Sequence, residues 1–100
     1  MMFMIVLEQK SGLVVKERVD AAIKTLGNHS SRMSETNVWM IESKDRGARA
    51  IRDHLKQFLN VEQGDRLFVA RISRNWAGTQ MGAGFPEWMQ RREFGTFPNG

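Results

Sequence analysis

The hydrophobic and polar positions of this chain fall into blocks with two different periods. Residues 3–8, FMIVLE, form an unbroken apolar run that stops at Glu8-Gln9-Lys10. Six residues are too few for an ordinary helix, and a run without polar interruption suits a strand covered on both faces or lying mid-sheet. After a turn at Lys10-Ser11-Gly12, residues 14–26 place Val15, Val19, Ala22, Ile23 and Leu26 at helical spacing, with Gly27 where a C-terminal cap belongs. Residues 28–34 are polar apart from Met33, which predicts no more than an exposed edge strand. The compact run VWMI, residues 38–41, lies between Glu35-Thr36-Asn37 and Glu42-Ser43 and reads as a second buried strand reached through a hairpin. Ala48, Ile51, Leu55, Phe58 and Leu59 then recur at steps of three and four, with Ser43 or Asp45 as N-cap candidates. A turn at Gln63-Gly64-Asp65 leads into RLFVARI, residues 66–72, a strand by length and by its aliphatic and aromatic content.

The order strand, helix, strand, strand, helix, strand predicts an α+β fold of the ferredoxin-like βαββαβ type. Its four-stranded antiparallel sheet would have the first and third strands central and both helices on one face. The expected core contains Ile5, Val19, Ile23, Trp39, Ile51, Leu55 and Phe68. This domain covers residues 1–74. Residues 75–100 read as a C-terminal extension, because from Ser73 onward the chain holds five glycines, both prolines and two of the three tryptophans. Within it, residues 86–93 suit a short helix with Pro86 in the first turn. Residues 73–81 carry Trp76 and Met81 without helical period, and suit an extra extended piece along a sheet edge. Two helices leave one sheet face uncovered, so the pattern also predicts a homodimer with Trp76, Met81 and Trp88 in its contact.

Composition narrows the function classes. One hundred residues support one core, and the 41% hydrophobic and 26% charged composition is that of an ordinary globular chain. Without cysteine there is no disulfide and no thiolate metal site. No apolar run approaches the ~20 residues of a membrane span. The first residues lack the basic start of a signal peptide, so a cytoplasmic location is expected. A formal charge of +4 makes anionic partners plausible only where the cations share a face.

Two sets of residues carry candidate chemistry. Glu8 is the first charge delivered at the carboxyl end of the first strand, the edge where α/β arrangements tend to place ligands. The basic residues form the second set. Arg49, Arg52 and Lys56 fall at i, i+3 and i+7 on one face of the second helix, and Arg71, Arg74, Arg91 and Arg92 lie near Trp76 and Trp88. Guanidinium groups beside aromatic rings suit sequence-tolerant contact with DNA or RNA. His29 and His54 have no second ligand at metal spacing. The glycines of residues 78–84 lack the Lys-Ser/Thr pair of a phosphate loop.

Taken together, FMIVLE, the VWMIES strand, the helix RGARAIRDHLKQFL and the later DRLFVARISRNWAG resemble the SinR-family group of small CRISPR-associated proteins, which are like the spacer-acquisition small subunit. The resemblance extends over residues 2–78, with Trp39 and Trp76-Ala77-Gly78 among its features. It implies a ferredoxin-like homodimer that binds DNA or RNA as an assembly subunit, or a metal-dependent endonuclease. The family's nuclease motif has an aspartate at the end of the first strand. The matching position here is Glu8, whose longer side chain departs from that pattern. Two such carboxylates across a dimer would hold Mg²⁺. A different class, a phage- or mobile-element-encoded regulator docking on a protein partner, fits the same scaffold.

Overall fold

The computed structural model describes residues 1–33 and 36–96. Ser34 and Glu35, assigned above to the polar segment and the hairpin, lie outside the described residues, as do residues 97–100 of the extension. The chain runs β1 (Met2–Glu8), α1 (Leu13–Leu26), β2 (His29–Arg32), β3 (Val38–Glu42), α2 (Ala48–Lys56), a 3-10 turn (Val61–Gln63), β4 (Arg66–Ile72) and α3 (Phe85–Gln90). The sheet order is β2-β3-β1-β4 with every neighbouring pair antiparallel, so the two most apolar runs are the central strands. This is the ferredoxin-like α+β arrangement.

The alternation of β1 divides the molecule into two layers of packing. Phe3, Ile5 and Leu7 face α1 and α2, where they meet Val19, Ile23, Leu26, Ile51 and Leu55, with Trp39 and Ile41 from β3. Met2 and Met4 face the other way. There the extension folds back on its own sheet, and Met2 and Met40 are buried with Phe85, Met89 and Phe94. Residues 73–81 therefore cross the sheet face as a loop that leads into α3, instead of running as an extra strand.

Six of the seven expected core residues are buried, but Phe68 is 59% exposed. Its register partner is Val6, so the period of two carries it away from the helices, onto a part of the opposite face that the extension leaves open. Leu67 and Val69, one residue to either side, take the inward positions. The helix ends also differ from expectation. The residue before α2 is Gly47, while the Ser43 hydroxyl accepts from the Arg46 N–H one turn earlier. Phe58 and Leu59 follow α2 in a turn and still pack on the core. Gly27 does end α1, in extended conformation. A Cβ there would sit 2.4 Å from the Glu42 carbonyl oxygen, so close passage against β3 is what requires glycine.

Candidate nucleic-acid interface

Glu8 stands at the carboxyl end of β1, exposed, with Lys10 Nζ at 3.5 Å and Arg66 as its register partner on β4. Below it, buried Asp65 pins the loop after β1. One carboxylate oxygen accepts from the N–H groups of Lys10 (2.7 Å) and Ser11 (3.2 Å), and the other from Asn60 N–H (2.9 Å) and the Ser11 hydroxyl. Burial pushes the Asp65 pKa up, but these hydrogen bonds outweigh it and hold the carboxyl below its usual 3.8. Asp65 is thus a structural acceptor whose oxygens are already taken. Among the described residues no three carboxylates or histidines come together in a group suited to a metal. Within one chain Glu8 supplies a single carboxylate beside Lys10, fewer oxygens than the donor set of a divalent ion, and the Mg²⁺ expectation draws its second carboxylate from a partner copy.

The arginines of the C-terminal third are largely occupied inside the molecule. Arg71 Nη2 donates to the carbonyls of Phe94 and Thr96, both at 3.2 Å. Arg74 donates to Gln90 O (3.3 Å) and Arg92 O (2.8 Å), and its guanidinium lies 4.8 Å from the centre of the Phe94 ring. Arg92, whose side chain is only 11% exposed, donates to Trp88 O at 3.2 Å, lies 4.9 Å above the Trp88 ring and is 3.8 Å from Glu42. Glu42 in turn accepts from the Glu93 N–H at 2.9 Å. An irregular segment lacks a ladder for its carbonyls, and arginine's five donors satisfy several at once. Arg71, Arg74 and Arg92 therefore act first as ties that hold the extension against the sheet. Trp76, Met81 and Trp88, expected in a dimer contact, are half-buried against the protein's own second core.

The second helix keeps its cations in solvent. Ile51 and Leu55 are fully buried, and the opposite face carries Arg49, Arg52 and Lys56, all exposed. From Lys44 to Lys56 the chain has five cations against two carboxylates. Arg52 pairs with its neighbour Asp53 at 2.7 Å, which lowers its share of the field. Arg49 and Lys56 make no ion pair or hydrogen bond through their charged ends among the described residues. At 1.5 Å rise per residue, the row spans about 10 Å. His54 lies half-buried beside this row, edge-on to Phe58 with ring centres 5.7 Å apart.

Arg91 is the remaining predicted cation and is exposed. It lines a cleft between the edge strand β2 and the extension, together with Arg32, Ser31 and residues 82–84. Arg32 was not singled out from sequence, because no spacing rule links a four-residue edge strand to a loop in the tail. Comparison with protein-family models, with curated proteins and with solved structures finds no match for this chain.

Proposed function

We propose that this is a small nucleic-acid-binding protein that holds backbone phosphates on the outer face of α2 and has no hydrolytic centre of its own within one chain. The observation that carries the reading is the row Arg49, Arg52, Lys56, which helical geometry fixes on one exposed face. Such a row reads charge and not base identity, so DNA and RNA are both admitted. The proposal includes kinship with the SinR-like group, for which the βαββαβ order and the basic α2 are the support. In this reading Glu8 is a solvated strand-end carboxylate paired with Lys10, and the chain serves as a binding subunit. The test is binding of a random duplex by the full chain and by the Arg49→Gln/Arg52→Gln/Lys56→Gln variant. Loss of three phosphate contacts should remove most of the affinity while the fold is retained, and unchanged binding would refute the role of α2.

A second reading rests on Phe68. With Val6 half-buried beside it and Val38 across β1, it leaves an apolar strip on the sheet face beyond the reach of the extension. In this reading the chain forms a homodimer through this strip, while Trp76, Met81 and Trp88 pack in part on the chain's own second core. Phe68→Ser should then turn a dimer into a monomer in sedimentation. A dimer that survives the substitution places the contact elsewhere.

A further inference from the structure

Six of the chain's seven methionines meet in the second core, between the sheet and the extension. Met2, Met40 and Met89 are buried there, and Met4, Met33 and Met81 are half-buried around them. The first core, between the sheet and the helices, has no methionine among its buried residues. Unbranched, polarisable thioethers fill irregular space, which suits a layer where a strand face meets an aperiodic loop. The chain has no cysteine, so these thioethers are the only sulfur that a mild oxidant meets.

The three half-buried methionines stand on different parts of the fold. Met4 belongs to the central strand β1 and Met33 follows the edge strand β2, so both sit on the sheet. Met81 is the one carried by the extension, on the loop that leads into α3. It lines the cleft beside Phe85 and Trp88, where solvent reaches it. Its side chain also packs on the turn behind it. A Cβ on Gly78 would lie 2.6 Å from Met81 Cγ and 3.1 Å from its Sδ, so the thioether rests close against the Gly78 backbone. Between the two, Gln80 has φ of +54°, a left-handed conformation that few residues with a side chain adopt. The seating of Met81 holds this turn, and the turn sets where the extension crosses the sheet.

We propose that Met81 is an oxidation site whose sulfoxide loosens the extension from the sheet. The oxidant is a peroxide. The Sδ lone pair attacks one peroxide oxygen, the O–O bond breaks, an S–O bond forms, and the second oxygen leaves as water with the proton of the first. Sulfur loses two electrons and the peroxide gains them. The product carries a strong acceptor oxygen on a side chain that packs against an apolar core and a crowded backbone, and water satisfies that oxygen once the side chain swings out. The site does not depend on the α2 reading, since that helix covers the opposite face of the sheet.

The test treats the full chain with dilute hydrogen peroxide, follows each methionine by peptide mass spectrometry, and measures amide exchange of residues 85–94 and of β1 on the same samples. Met81 should oxidise before the buried Met2, Met40 and Met89. Exchange in residues 85–94 should then rise by about tenfold, the scale set by one unpaired polar group in a core, while that of β1 does not. Treatment with the two methionine sulfoxide reductases, one for each epimer, should reverse the rise. Met81→Leu keeps the volume and the apolar contact without a sulfur to oxidise, so its exchange should start at the wild-type level and stay there at the same peroxide dose. Met33→Leu should respond as the wild type does. The order of oxidation and its reversal are read on the wild-type chain, so the test holds even if a variant folds poorly. The proposal is overturned if the buried methionines react as fast as Met81, if Met81 is oxidised with no rise in exchange, or if Met81→Leu responds to peroxide like the wild type.

Discussion

Replacing Asp65 by asparagine should destabilise the protein severely without touching any exposed surface. Its two carboxylate oxygens accept four hydrogen bonds, from Lys10, Ser11 (twice) and Asn60, and so join the β1–α1 loop to the turn before β4. An amide keeps one oxygen and turns an NH₂ group toward donors, so two bonds are lost and two become neutral. At about 1.5 kcal/mol per lost bond to a charged acceptor, the low end because water reaches this loop, the cost is about 3 kcal/mol. That is a large share of the ~5–15 kcal/mol that holds a domain together. Urea unfolding followed by tryptophan fluorescence should show a midpoint lower by about 1.5–2 M for a slope near 1.5–2 kcal/mol/M. The sign with pH is fixed by the lowered pKa. Stability from the ionised carboxylate is present above the unfolded value of about 3.8 and is lost as pH falls through the lower folded value. The gap between wild type and Asp65→Asn should therefore be full at pH 6 and shrink below pH 4. A gap under about 1 kcal/mol, or one that stays constant down to pH 2, would refute this account of the loop.

Gly27→Ala should cost about 2 kcal/mol or more, since its Cβ would sit 2.4 Å from Glu42 O and part the Asn28 N–H to Glu42 O bond of 2.8 Å; thermal unfolding reads this directly. Met89→Ala empties a site that is 1% exposed at the centre of the second core, and a loss of about 2–5 kcal/mol is expected. Limited proteolysis should then cut within residues 75–84 before the βαββαβ body, and equal protection of both would contradict the packing described. Arg74→Gln removes two carbonyl ties and the contact over Phe94, so amide exchange in residues 85–94 should rise while that of β1 does not.

The fold was legible in sequence wherever a run or period was long enough to fix a face. The unbroken 3–8 and 38–41 runs marked the central strands, and the spacing of Val19, Ile23, Ile51 and Leu55 marked both helices. Phe68 was misplaced because RLFVARI is apolar nearly throughout, and only its pairing with Val6 shows which parity points at the helices. The extension was harder still. Met2, Met40, Phe85, Met89 and Phe94 share no period, and their meeting depends on a loop that doubles back across the sheet. The same fact decided the arginines: helical spacing places Arg49, Arg52 and Lys56 outward unaided, whereas Arg71, Arg74 and Arg92 find carbonyls whose positions only the folded extension defines. The cleft joining Arg32 to Arg91 was invisible for that reason as well.

The central claim is that α2 binds phosphates, and the salt dependence of duplex binding tests it most directly. Three phosphate contacts predict a slope of log K against log salt of about −2.7, or roughly a 40-fold loss of affinity between 50 and 200 mM salt. Exchanging Arg49, Arg52 and Lys56 for glutamine should bring that slope close to zero. A full-chain slope near zero, or a steep slope that the triple variant keeps, would contradict it.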